Sequence, residues 1–268
     1  MNGMLSGRTA LVTGSTSGIG LAIAKALAAE GARVAVHGLA SPEERDAAVA
    51  AVTAAGAPEA RFFDGDLRQT AAIDALMDAV TGWGAIDILV NNAGMQKTMP
   101  LGEIPADLWD AIIALNLSAC FHTMRRAMPG MGDRGFGRVI NIASVHGLVA
   151  SKEKAPYVSS KFGLVGLTKV GALEYAEAGS RETGGVTVNA IGPGWTETPL
   201  IGPQIDARAQ QVGGGREAGV RALLSEKQPS LRMAMPEDVA ALAVFLCSKA
   251  AHNITGTAIP VDGGWTAQ

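Results

Sequence analysis

The chain has 268 residues, of which 48% are apolar, 18% charged and 4% aromatic, with 34 glycines, 12 prolines and two cysteines. Such a composition supports a packed core and excludes a disordered chain. The 22 basic and 25 acidic residues leave a net charge of −3, which gives no electrostatic reason to expect nucleic acid or an anionic membrane as partner.

Regular structure begins at Arg8–Thr13 with no signal-peptide pattern ahead of it, and no uncharged apolar run approaches bilayer-spanning length. The expectation is a cytoplasmic protein without a membrane partner. Cys120 and Cys247 sit apart in apolar helical patterns and read as core thiols. His37, His122, His146 and His252 form no cluster with ligand spacing, so no metal site is expected.

Along the chain, β-branched and apolar runs predict strands at Ala10–Thr13, Arg33–Val36, Ala60–Phe63, Ile86–Val90, Val139–Ile142, Val186–Ala190 and Thr257–Val261. Apolar residues at three- and four-residue spacing predict helices at Gly18–Ala29, Pro42–Ala55, Ala71–Thr81, Ala106–Met128, Pro156–Ala178 and Pro236–Ser248. Strand and helix alternate throughout, which implies an α/β fold: one Rossmann-like, doubly wound parallel sheet of about seven strands with helices on both faces. No composition shift marks a second domain within 1–268. The Gly- and Pro-rich, charged segment 192–232 is expected to be irregular and to act as a lid, with Gly213–Gly215 as hinges.

Three elements point to a nucleotide. The first strand runs into Thr13-Gly14-Ser15-Thr16-Ser17-Gly18-Ile19-Gly20, a glycine turn opening a helix, where a diphosphate meets free N–H groups and the positive helix end. Asp66-Leu67 follows the third strand, and Asn91-Asn92-Ala93-Gly94 ends the fourth. Together they resemble the short-chain dehydrogenase/reductase family, whose likeness covers nearly the whole chain. The resemblance implies that Thr13, Gly14, Ser15, Thr16, Gly18, Ile19, Gly20, Asp66, Leu67, Asn92, Ala93 and Gly94 hold NAD(P). Strand two ends in His37-Gly38-Leu39, without the acid that commonly binds the adenosine ribose of NAD. Neither the glycine turn nor the residues just after that strand offer a cation for a 2′-phosphate, so NAD is expected in preference to NADP.

Ser144 ends the fifth strand, and Tyr157 and Lys161 lie four apart on the next helix, where an ammonium can support a phenolate. Asn116 continues an apolar face through Leu108 and Ile112. In the family this Asn-Ser-Tyr-Lys set is catalytic, with the Asn holding a water that links Lys161 to solvent. By the same resemblance, Tyr157, Lys161, Pro193, Gly194, Trp195, Thr196 and Thr198 also touch the cofactor.

Specificity falls to His146, Lys154, Gln96 and Gln204, which can converge on a carboxylate; if the strand stays extended past Ser144, His146 shares its side. With Trp195 and Trp265 as an apolar cap, and with the stretches Ser144–Ser151, Pro193–Leu200 and Leu224–Ser230, the chain is similar to the branch of the family that oxidises short 3-hydroxy acids. The likeness implies NAD-dependent, reversible oxidation of (R)-3-hydroxybutyrate to acetoacetate. It also makes Gln96, Ser144, His146, Lys154, Tyr157, Trp195, Gln204 and Trp265 the substrate site, in a homotetramer. Lys97, Pro156 and the connection Gly179–Gly185 depart from that branch and leave close, non-identical substrates open. The alternatives are a 3-oxoacyl thioester reductase or sugar dehydrogenase on the same scaffold, or a non-catalytic NAD-binding regulator. The helix from Tyr157 to Ala178, with Gly163, Gly166 and Gly171 and apolar residues on more than one face, is the expected subunit contact.

Overall fold

A computed structural model describes residues 3–267. The strands are β1 (Thr9–Val12), β2 (Arg33–His37), β3 (Ala60–Phe63), β4 (Ile88–Asn91), β5 (Phe136–Ile142), β6 (Gly185–Pro193) and β7 (Ala258–Val261). They form one seven-stranded parallel sheet in the order β3-β2-β1-β4-β5-β6-β7. The helices are α1 (Gly18–Ala29), α2 (Pro42–Ala54), α3 (Thr70–Trp83), α4 (Ala106–Ile113), α5 (Ala119–Arg134), α6 (Ala155–Glu174), α7 (Gly202–Val212), α8 (Arg216–Lys227) and α9 (Pro236–Cys247).

Period-two alternation divides each strand between two cores. Ala10 and Val12 of β1 pack with Val34 and Val36 of β2 under Ile23 and Leu27 of α1 and Val239 and Ala243 of α9. Leu11, Ala35, Leu89 and Val139 face the other way, onto Ile73, Met77 and Val80 of α3 and Met124, Met128 and Met131 of α5. Cys247 joins the first core, and Cys120 lies buried in a small cluster with Leu164 and Ala190. The chain leaves β1 toward β2 on one side and, after β3, resumes at β4 on the other. This reversal opens a crevice at the carboxyl ends of β1 and β4.

Two expectations change. The helix expected over Ala106–Met128 is two helices joined by a π-helical turn, Ala114–Ser118, and it continues to Arg134, where Gly135 (φ +64°) ends it. The segment 192–232 is not irregular. β6 runs on to Pro193, a 3₁₀ turn covers Pro199–Ile201, and α7 and α8 fill most of the remainder. Ile201, Ile205 and Leu223 bury one another with Trp195, Val220 and Met233 in a core of their own. The glycine run lies between the helices, where Gly213 (φ +68°) caps α7 and Gly215 starts α8. Among the described residues no helix is long and apolar enough to cross a membrane.

Candidate active site

A cleft of about 770 Å³ occupies the crevice above the carboxyl ends of the strands. Its floor is the glycine turn. Gly14 and Gly18 have φ of +62° and +54°, and a Cβ on Gly20 would lie 2.2 Å from the Gly14 carbonyl oxygen. A side chain at any of the three is strained or excluded. Thr13 Oγ1 accepts the N–H groups of Asn92 (2.9 Å) and Ala93 (3.0 Å). Asn92 Nδ2 donates to the carbonyls of Thr13 and Gly14, each at 2.9 Å, and Ser15 Oγ accepts from His37 N at 3.0 Å. Thr13, Ser15 and Gly20 therefore build the turn, whereas Gly14, Thr16, Gly18, Ile19, Asn92, Ala93 and Gly94 line the cleft. α1 starts with no side-chain cap and no acid in its first turn, so its leading N–H groups are free to meet an anion. A nucleotide diphosphate fits this cradle. Thr198 approaches from β6, its Cγ2 3.5 Å from where a Cβ on Gly18 would sit.

One end of the cleft is walled by His37, Gly38, Leu39, Asp66, Leu67 and Arg68. His37 is buried, accepts from Gly14 N at Nδ1 (3.3 Å) and donates from Nε2 to the Gly65 carbonyl (3.0 Å). Burial lowers its pKa, and the two bonds fix the neutral tautomer. Arg68 grips Asp66 through Nε (2.9 and 3.1 Å) and Nη2 (2.7 Å), which holds the carboxyl below its ordinary range. Neither His37 nor Arg68 is among the candidates drawn from sequence. Arg68 comes from beyond β3, outside the segment in which a cation is sought.

At the other end, Ser144, Tyr157 and Lys161 come together. Tyr157 keeps part of its surface open to the cleft, which Ser144 lines beside it. Burial around the phenol raises its pKa, and the polar Ser144 side chain opposes that shift. Lys161 Nζ donates to the Ile142 carbonyl (2.7 Å) and lies 5.6 Å from the Tyr157 ring centroid. Burial brings this ammonium down to about 8. Asn116 sits in the π turn, fully buried and off the cleft wall. Its Oδ1 accepts Met95 N (2.9 Å), and its Nδ2 donates to Met95 O (2.9 Å) and Ser160 Oγ (3.2 Å). Its side chain thus ties the strand-four loop to α6.

Past Ser144 the backbone does not stay extended, because Val145–Gly147 form a 3₁₀ turn. His146 nonetheless returns to the site, with Nδ1 3.4 Å from Ser144 Oγ. Its ring stands edge-on to Tyr157 (5.9 Å) and Trp265 (5.5 Å), and its buried Nε2 has no partner. Desolvation, helped by the charges of Lys154 and Lys227, pulls His146 down to about 3. Lys154, 7% exposed, donates to Gln204 Oε1 (3.3 Å) and lies 5.1 Å from the Trp195 ring. Burial and then Lys227 bring it to about 8. Trp195 and Trp265 pack at 5.1 Å. Gln96, Pro193, Gly194 and Thr196 also line the cleft, while Gln204 reaches it only through Lys154. Leu200 and Ile201 complete the wall and are missed by the sequence reading, which treats their segment as loop.

A glycine-turn nucleotide cradle joined to a Ser-Tyr-Lys cluster on one crevice agrees with the match between residues 8–209 and the short chain dehydrogenase family model. The chain belongs to the short-chain dehydrogenase family. Like the family, it is an NAD(P)-dependent oxidoreductase. A D-beta-hydroxybutyrate dehydrogenase of Cupriavidus necator is 50% identical over 99% of this chain and 100% of its own length. The protein of that name from Rhizobium meliloti is 44% identical over 97% and 99%. Among solved structures, an actinorhodin polyketide ketoreductase determined with NADPH superposes with a TM-score of 0.89, at 35% identity over all of both chains.

Proposed function

We propose that the protein oxidises (R)-3-hydroxybutyrate reversibly to acetoacetate, with NAD as hydride acceptor. The observation that carries this reading is the cationic end of the cleft. His146, its Nε2 without a partner, lies beside Ser144 and Tyr157, Lys154 lines the same cleft, and among the described residues no carboxylate pairs with either. Buried donors of this kind call for an anionic ligand. The names of the two hydroxybutyrate dehydrogenase relatives support the choice of acid.

Gln96, His146, Lys154 and Gln204 would hold the carboxylate, and Trp195 and Trp265 would enclose the methyl end. The C3 hydroxyl would sit between Ser144 and Tyr157. The glycine turn, Asp66, Leu67, Asn92–Gly94, Pro193, Gly194, Trp195, Thr196 and Thr198 would hold the dinucleotide, whose nicotinamide would supply the hydride acceptor. Tyr157 takes the hydroxyl proton as the C3 hydride leaves, and Ser144 holds the substrate oxygen. The Lys161 ammonium beside the Tyr157 ring favours the phenolate against the burial that opposes it. Asn116 positions α6 and the strand-four loop around this set, and by family likeness holds the water that returns a proton through Lys161. NAD is preferred to NADP because Arg68, the cation at the adenosine end, is already bound to Asp66. Segment 192–232 serves as a helical lid rather than a loop. The subunits associate through the exposed face of α6, in a tetramer.

The test follows NADH absorbance with each enantiomer of 3-hydroxybutyrate, NADP serving as cofactor control. Turnover of the (R) acid with NAD, lost by a factor of about 10² or more in Tyr157→Phe while NAD still binds, is the expected result. Absence of turnover with either enantiomer despite NAD binding overturns the substrate and points to a thioester or sugar. Full activity of Tyr157→Phe overturns the acid/base assignment.

A further inference from the structure

We propose that Lys227, the last residue of α8, is a positioning residue that selects for the substrate's carboxylate: it latches the lid to the Lys154 loop and holds positive charge behind Trp265. This rests on the reading of the cleft as a carboxylate site.

Lys227 Nζ donates to Ser151 Oγ at 3.3 Å and lies 5.7 Å from the Trp265 ring centroid. Ser151 stands three residues before Lys154 in the same loop. Trp265 in turn packs on His146 and on Trp195. One side chain thus joins the lid, the loop that carries Lys154 and the aromatic wall. The only other lid-to-loop hydrogen bond of this kind among the described residues is that between Lys154 and Gln204.

The charge of Lys227 is not cancelled locally. Its neighbour Glu226 is paired with Arg208 (2.7 Å), and Lys227 forms no ion pair among the described residues. Its field reaches the site, since it contributes to the lowered pKa of both His146 and Lys154. The Lys154 and Lys227 ammonium groups, with no anion between them among the described residues, repel one another across the neutral His146. A carboxylate entering among them relieves that repulsion, whereas an uncharged ligand does not. The closed lid and the preference for an acid then have a common source. Lys227 touches neither of the reacting groups, so its effect belongs in binding rather than in the chemical step.

The experiment compares wild type, Lys227→Met and Lys227→Arg on (R)-3-hydroxybutyrate and on its uncharged methyl ester, with unchanged circular dichroism and melting as the folding check. For the acid, Lys227→Met is expected to raise KM about tenfold with kcat within about twofold, and for the ester to leave KM within about twofold. Lys227→Arg restores most of the affinity for the acid. An unchanged KM for the acid, or an equal rise for acid and ester, overturns the proposal. Hydrogen exchange across 202–227 in the absence of substrate is the second measurement. Faster exchange in Lys227→Met but not in Lys227→Arg is expected, and identical exchange in all three proteins overturns the latch. If the wild type fails to oxidise the acid, the substrate reading falls by itself, and the exchange measurement still decides the role of Lys227.

Discussion

His146 illustrates how a single side chain joins stability to the site. Its imidazole is buried against Tyr157 and Trp265 and faces the charges of Lys154 and Lys227, so it protonates only at about 3 instead of 6.5. The unfolded chain therefore binds a proton below pH 6.5 that the folded protein refuses, and stability must fall as the pH is lowered through that window. His37, also shifted downward by burial, acts in the same direction. Between pH 6.5 and 5 stability should drop, His146 contributing a limiting slope of about 1.4 kcal/mol per pH unit. His146→Gln should make that slope shallower, whatever its effect on absolute stability. Equal slopes in the two proteins would mean that His146 is charged in the fold, and its neutral role at the carboxylate would fall with that result. At this scale much of the site is legible in the sequence, because Ser144, Tyr157, Lys161 and the glycine turn are fixed by position relative to strand ends. Lys227 is not, because its partners Ser151 and Trp265 are 76 and 38 residues away and nothing in the local pattern joins them.

The lid shows what conceals an element. Segment 192–232 is read as loop because its glycines and charges dominate, yet Ile201, Ile205, Ala209, Leu223 and Leu224 are buried at helical spacing within it. The glycines serve the joint between α7 and α8 and their crossing. At Gly219 a Cβ would stand 2.5 Å from the Ile205 carbonyl oxygen and 2.9 Å from Ala209 Cβ. Gly219→Val must force the two helices apart, at a cost of about 1–3 kcal/mol confined to this small core. The sheet and its two large cores do not involve this contact. Hydrogen exchange should therefore quicken over 202–227 while β1, β4 and β5 stay protected, and KM for the acid should rise more than kcat falls. Loss of protection throughout the molecule would show that the lid is integral to the fold. The π turn at Ala114–Ser118 is hidden for a different reason. Its extra residue preserves the apolar face on both sides, so spacing four through Leu108, Ile112 and Asn116 reads as uninterrupted helix.

In the whole molecule the sheet is the most legible feature, since strands buried on both faces and separated by amphipathic helices admit few arrangements. What a single chain does not account for is the outer face of α6. Phe162, Val170 and Leu173 are 45%, 51% and 78% exposed, and a Cβ on Gly166 between them would meet open space. Spacings of four, four and three put these residues on one stripe of the helix that also carries Tyr157 and Lys161 on its inner side. Exposed Phe121 on α5 adds to the apolar surface. Such a stripe is stabilised when it is covered, and in the proposed assembly a second copy related by a two-fold axis would cover it with the same residues. A charge placed on the stripe then enters the interface twice. Val170→Glu with Leu173→Glu should split the assembly into smaller species in light scattering coupled to gel filtration. Because α6 carries Tyr157 and Lys161, the proposed catalytic pair, turnover should fall as the subunits separate and recover with protein concentration. A wild type that runs as a monomer, or a double variant of unchanged mass, would show that α6 faces solvent in the working enzyme.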